Sequence, residues 1–323
     1  YSTSYRIDDL FVTPDFQGDY GMGDFAKYDS SSIGFDWGPR IRGQEVNYLP
    51  VSGERGALQA QENNGIDKFF NTGRTFINGL SISDATDKFN YRLSLGALNQ
   101  TGLLPGAELD RYNAGLNAGI QHNDRLKTTF GLQFAKTLSV GTGATGANDP
   151  NIVGLSSFSS TLNPDDFNPW IDAAGNQINQ AGPTSNNYLW LRNENRNDRN
   201  DTRIIGNISS TFKILDNLSL RGTYGYDFDQ DNRFFSNRKG TIQRLNGDYT
   251  IDNINNVQQN LDVILNFNSN LGSRFAVNAL AGYNWNNRKR QDEGFSGVNL
   301  LIPELFAPGN TEQTIPARFF SNR

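Results

Sequence analysis

The sequence predicts an all-β chain of the transmembrane antiparallel β-barrel class, with short turns at one end of its strands and long loops at the other. Three observations predict it. Apolar residues fall at alternate positions in one segment after another, the connections between segments are alternately short and long, and the apolar faces of the clearest segments carry no charge. In "LSLRGTYGYDF", residues 218–228, Leu218, Leu220, Gly222, Tyr224, Tyr226 and Phe228 alternate with Ser219, Arg221, Thr223, Gly225 and Asp227. Such a strand has one face for hydrocarbon and one for water.

Taken in order, weaker segments near Tyr1–Val12 and Thr75–Ser83 open the series. Phe89, Tyr91, Leu93, Leu95 and Ala97 then alternate with Asn90, Arg92, Ser94 and Gly96. Tyr112 to Gln121, Leu126 to Phe134, Ile204 to Phe212, residues 218–228, Leu261 to Phe267 and Phe275 to Trp285 repeat the pattern, about nine strands by this alternation test. Tight links rich in turn formers stand at 83–88, 122–125, 214–217 and 269–273. Long links fill 14–73, 99–110, 139–201, 229–258 and the stretch from 287 onward. Short turns on the periplasmic side and long extracellular loops are the layout of an outer-membrane barrel.

Length agrees, because about ten residues at ~3.3 Å each, tilted ~45°, rise roughly 23 Å, near the ~25 Å apolar band of such barrels. Aromatics gather at the strand ends as two girdles: Tyr224, Tyr226, Phe228, Tyr283 and Trp285 at the long-loop ends, Phe89, Tyr91 and Phe275 opposite. A soluble sandwich or adhesin is the competing reading. Its outer faces would carry many Lys, Glu and Thr, whereas the polar faces here are mostly Asn, Ser and Gly, as suits a wet lumen.

Composition narrows function by exclusion. A mean hydropathy of -0.59 with no run of eighteen apolar residues leaves no helical span, but a barrel hides its apolar content in alternate positions. A net charge of -5 supplies no broad basic surface for nucleic acid. There is no cysteine and one histidine, His122, so thiolate chemistry and His clusters for zinc or acid–base work are absent. The carboxylates of "NPDDFNPW" (163–170) and "NENRNDRNDT" (193–202) fall in loops, where Asp and Asn serve turns and solvation; a Ca²⁺ site there stays an open alternative without EF-hand spacing. No nucleophile–base pair is visible, so no enzymatic activity and no cofactor are expected. The glycines of "VGTGATGAND" (140–149) have no helix after them and read as a flexible loop, not a dinucleotide site. In the longest internal loop, Trp170, Tyr188 and Trp190 lie among Asn and Asp, a setting for stacking a sugar or peptide, with loop self-packing as the alternative.

Specific words then narrow the class. "DFQGDYGMG" (15–23), "DWGPRIRGQEV" (36–46) with Trp37-Gly38-Pro39-Arg40, "DKFFNTGRTFINGLSIS" (67–83), "KFNYRLSLGALNQTGLLPGAELDRYNAGLNAG" (88–119) and "GVNLLIPELFAPGN" (297–310) resemble, in this order, the SusC-like TonB-dependent transporters of the Bacteroidota outer membrane. The resemblance implies a 22-stranded barrel with an N-terminal plug, of which residues 1–323 would supply part of the barrel, with neither the plug nor the C-terminal strands. A half barrel alone would leave two open edges in lipid, so a fragment of a longer chain is expected. The resemblance further implies import of an oligosaccharide or peptide across the outer membrane, a SusD-like surface lipoprotein as lid, and TonB acting through the plug. It places Trp37 and Arg40 in the first extracellular loop, and with Trp170, Tyr188 and Trp190 they are the candidate ligand or partner contacts. A second reading makes the barrel a fixed, interacting subunit of a larger outer-membrane machine.

Overall fold

The computed structural model describes residues 1–12, 16–31, 34–47, 55–61, 67–141, 159–179, 186–271 and 274–322. One antiparallel sheet dominates it. Its strands are β1 (Ser2–Asp8), β6 (Gly73–Ala85), β7 (Phe89–Thr101), β8 (Glu108–Asn123), β9 (Leu126–Val140), β10 (Arg196–Leu215), β11 (Leu218–Asn237), β12 (Asp248–Leu271), β13 (Phe275–Leu300) and β14 (Thr311–Asn322). They follow one another in a simple meander, each paired with its sequence neighbour in the sheet. Between β1 and β6 lie two small hairpins, β2 (Gly23–Asp24) with β3 (Lys27–Tyr28), and β4 (Glu45–Asn47) with β5 (Arg55–Ala57). The one described α-helix, α1 (Tyr188–Glu194), precedes β10.

The register turns the alternation within each strand into two continuous faces. Tyr91, Ala118, Phe130, Ile208, Tyr224, Leu261 and Trp285 are paired in succession across seven strands, so the apolar sides merge into one surface. The next row is Arg92, Asn117, Gly131, Asn207, Gly225, Asn260 and Asn286, almost wholly Asn and Gly. The first row faces lipid and the second faces the pore. That first row starts at a tyrosine near the short turns and ends at a tryptophan far up β13. Six interstrand steps of ~4.8 Å on strands tilted ~45° climb roughly 20 Å, close to the height of the apolar band.

The strands outrun the alternation that marks them in the sequence. β11 continues nine residues past Phe228, β12 begins at Asp248 and β13 runs to Leu300, so most of 229–258 and of the stretch after 287 is ladder rather than loop. The aromatics Tyr226, Phe228 and Trp285 therefore sit mid-strand, not at strand ends. Above them the outer face turns polar, with Asn253, Asn255, Asn287, Lys289, Gln291 and Glu293. Backbone pairing needs no lipid, so the sheet continues where the hydropathy contrast stops. At β12's length of 24 residues the wall spans about 55 Å in height at ~45° tilt, roughly twice the apolar band. The link between β7 and β8 is only 102–107, shorter than the 99–110 read from the sequence.

Higher still, the outer face regains aromatics. Tyr249 is buried between Phe295 (centroids 5.8 Å apart) and Phe306 (5.8 Å), and Phe306 also meets Phe234 at 5.3 Å. The segment after β13 folds back to cover this cluster, which gives the projecting part of the wall a small core of its own.

Candidate functional site: the pore-facing wall and its loop cap

The upper pore face of β10–β13 is a ladder of opposite charges. Within single strands, arginine and aspartate recur two residues apart, and period two places both on one face. Arg203 donates two bonds to Asp227, Nε to Oδ1 at 3.1 Å and Nη2 to Oδ2 at 2.7 Å. Asp231, almost fully buried, accepts from Arg199 Nε at 2.7 Å and from Arg233 Nη2 at 2.6 Å. Arg290 grips Asp292 at 2.7 Å, and Asn256 donates to Asp229 at 3.3 Å. Such forked, charge-assisted bonds hold side chains in fixed orientations on a wet wall. Arg288 is the exception on the upper half of these four strands, with no carboxylate partner among the described residues. The sequence alone hides this ladder, because residues 229–237 and 248–257 lack apolar alternation and read as loop.

Loops from distant parts of the chain are clasped above the wall. Met22, Phe69, Leu162 and Phe167 form a small core joining the loop before β6 to the one before β10. Asp36 accepts from Ser159 Oγ at 2.5 Å and from the Ser160 amide at 2.7 Å, Met22 N donates to Thr161 Oγ1 at 3.3 Å, and Lys68 Nζ meets Asp165 at 2.6 Å. The "DYGMG" and "DWGPR" words belong to this clasp. Trp37 N donates to Gly23 O, Gly38 N to Gly21 O and Gly21 N to Pro39 O, each at 3.0 Å. A Cβ on Gly38 would lie 2.3 Å from the Met22 carbonyl oxygen, so only glycine fits there.

Each sequence-predicted contact has a definite place. Trp37 is 64 % exposed, near Tyr20 (ring centroids 6.2 Å), and Arg40 is exposed beside it. Tyr188 packs edge-on against Phe69 (4.1 Å) and Phe167 (5.4 Å), and burial pushes its hydroxyl pKa up. Trp190 is completely buried, donates Nε1 to Thr241 Oγ1 at 2.9 Å, and lies under the Arg238 guanidinium at 5.3 Å. Trp170 Nε1 donates to Glu194 at 2.8 Å, and Glu194 pairs with Arg238, which also reaches Glu304 at 3.2 Å. Burial raises the pKa of the Glu304 carboxyl and Arg238 opposes that rise. Arg238 thus joins the turn after β11, the helix before β10 and the segment after β13. Trp37 and Arg40 form an outward group, and Trp170, Tyr188 and Trp190 an inward one. Of "VGTGATGAND", only Val140 and Gly141 fall among the described residues, and these show no group of three His, Cys, Asp or Glu fit for a metal.

Asn187 holds the inward group in shape. Its Oδ1 caps α1 by accepting from Leu189 N at 2.9 Å, while its Nδ2 donates to the carbonyls of Phe167 at 2.8 Å and Ile178 at 2.9 Å. Asn187→Ala is expected to cost about 1–3 kcal/mol, since it removes a helix cap and orphans two buried carbonyls. Faster amide exchange of residues 186–194, with exchange in β7–β9 unchanged, would show it.

A wall apolar on one side and polar on the other, with short turns below and clasped loops above, defines an outer-membrane β-barrel. No family profile matches the chain. It is 24% identical over 214 residues to TonB-dependent receptor P26 of Formosa agariphila, and 24% identical over 257 residues to TonB-dependent receptor P3 of the same organism. Those alignments take in 63% and 76% of this chain but only 20% and 25% of the relatives, so the chain spans about a quarter or less of their length. Among solved structures it is similar to the RagAB peptide transporter (TM-score 0.65, 16% identity, 80% of this chain and 30% of that one) and to the RagAB peptide importer in a closed-closed state (0.67, 16%, 99% and 38%). The chain resembles part of the barrel of the SusC-like TonB-dependent transporters and lies in the outer membrane.

Proposed function

We propose that the chain forms wall, lining and loop cap of an importer that carries peptide or oligosaccharide nutrients into the periplasm and performs no covalent chemistry itself. A SusD-like lipoprotein covers the loops in this reading, meeting Trp37 together with Phe25 and Phe35, both also exposed. TonB supplies the work through a plug inside the full barrel. The observation that carries the proposal is the continuous two-faced wall whose pore side bears the Arg–Asp ladder. Peptide is the better-supported cargo. A ladder offering both signs of charge matches a zwitterionic chain with ionic side chains, and RagAB, which shares the fold, is a peptide importer.

The test is uptake of a labelled peptide mixture and of a labelled neutral oligosaccharide by cells carrying the full-length protein. Peptide uptake that stops when the gene is deleted or the proton-motive force is collapsed supports the reading. Unchanged uptake of both after deletion, with the barrel purifying in a stable multiprotein assembly, would replace it with the scaffold role.

A further inference from the structure

Arg288 is the cation that the pore-facing ladder leaves over. It stands three residues up β13 from Trp285, at the outer edge of the apolar band, and is exposed to the pore. Its cross-strand neighbour on β12 is Gln258, and the next pore-facing residue below it on β13 is Asn286, so no carboxylate adjoins it there. The acids nearby are already engaged. Four places up the strand, Asp292 is held by Arg290, through Nε at 2.9 Å and Nη2 at 2.7 Å. Asp227 belongs to Arg203, Asp229 accepts from Asn256, and Asp262 accepts from Asn284 at 2.6 Å.

A hollow of about 480 Å³ opens beside this guanidinium, lined by Arg288, Arg290 and Asp292 on β13 and by Phe319 and Ser321 on β14. The register sets Ser321 opposite Arg290 and Phe319 opposite Asp292. The Phe319 ring is 53 % exposed, on a face given mainly to Asn, Asp and Arg. Water solvates the cation but leaves the ring unsatisfied, whereas a solute carrying a carboxylate and an apolar group satisfies both. A guanidinium takes a carboxylate by two parallel bonds, and a ring takes an apolar group through contact area. An extended chain advances ~3.3 Å per residue, so a peptide whose carboxylate sits on Arg288 lays a side chain roughly two to four residues back against Phe319.

We propose that Arg288 and Phe319 form a subsite for cargo that joins a carboxylate to an apolar group. Arg288 takes the carboxylate, Phe319 takes the apolar group, and Ser321 with the Arg290–Asp292 fork meets the polar backbone between them. This deepens the importer reading and rests on it. A peptide C-terminus and an acidic side chain share this chemistry, and the experiment separates them.

The experiment uses the full-length protein in lipid nanodiscs, as wild type, R288Q, R288M and F319S, with folding of each barrel checked by heat-modifiable mobility on electrophoresis. Immobilised protein is offered a random hexapeptide mixture, half free acid and half C-terminal amide, at physiological salt, and the retained peptides are identified by mass spectrometry. The wild type is expected to retain free acids over amides roughly tenfold, the worth of a hydrogen bond between charged groups. Apolar side chains should be enriched within the last four positions. R288Q and R288M lose the acid preference, and F319S keeps it but loses the apolar enrichment. Enrichment of Asp and Glu in both forms, lost in R288Q, also supports the subsite and assigns the carboxylate to a side chain. If one Arg288 variant fails to fold, the other decides. An acid-to-amide ratio in a folded Arg288 variant equal to the wild type's overturns the subsite, and so does a wild type that retains neither form. Cellular uptake of labelled peptide and oligosaccharide judges the importer reading separately: uptake that persists without an acid preference removes the subsite alone.

Discussion

Val263→Arg is expected to lower the stability of the membrane-inserted barrel by about 2–4 kcal/mol, the cost of placing arginine on a lipid-facing site near the bilayer midplane. Val263 is paired with Gly222 on one side and Tyr283 on the other, within the apolar outer face from Leu261 to Phe267 on β12. Asn266→Arg, on the same strand but facing the pore, is the control and is expected to shift stability by less than about 1 kcal/mol. Denaturant unfolding of the full-length protein from lipid vesicles reads both. Equal losses for the two variants would mean that the faces are not divided between lipid and water as the register divides them.

Trp190→Ala has the other large expected effect, a loss of about 3–5 kcal/mol confined to the loop cap. The indole is fully buried, and its removal leaves a cavity, takes from Thr241 Oγ1 its donor while leaving its bond to Asn195, and strips the Arg238 guanidinium of the ring below it. Arg238 also holds Glu194 and Glu304, so three segments loosen together. Limited proteolysis of the intact protein should cut within 186–195 and 238–247, with the heat-modifiable barrel unaffected. A cap as protease-resistant as the wild type's would show that Trp190 is not what holds these segments.

The lipid-exposed part of this fold was legible because hydrocarbon imposes a strict rule on every second residue. Residues 218–228 and 275–285 obey it, and each lies in a strand at those positions. The rule lapses above Phe228 and Trp285, where water lies on both sides, and there the ladder of β11–β13 runs on with no alternation of apolar and polar residues to betray it. The site was legible in outline only. Trp170, Tyr188 and Trp190 stand close in the sequence as an aromatic group, but the inward packing of Tyr188 and Trp190 is decided by Phe69, Thr241 and Arg238, which come from other loops. The Arg–Asp ladder has a visible trace, charged residues spaced by two in "RNDRNDTR" and "DFDQDNR", which looks like loop solvation until the strand is known to continue. The glycine of Trp37-Gly38-Pro39-Arg40 belongs to packing, since the Met22 carbonyl oxygen leaves no room for a side chain.

The clasp between Asp36 and Ser159 joins positions 123 apart in sequence, with β6 to β9 between them. Loop closure over so long a stretch is entropically expensive until the intervening strands have fixed the distance. The cap is therefore a late event in biogenesis: the early chain must cross the periplasm and enter the bilayer with its aromatic loops unassembled. A protein that shields Phe69, Phe167 and Trp190 during that interval would raise the yield of mature barrel without touching any strand.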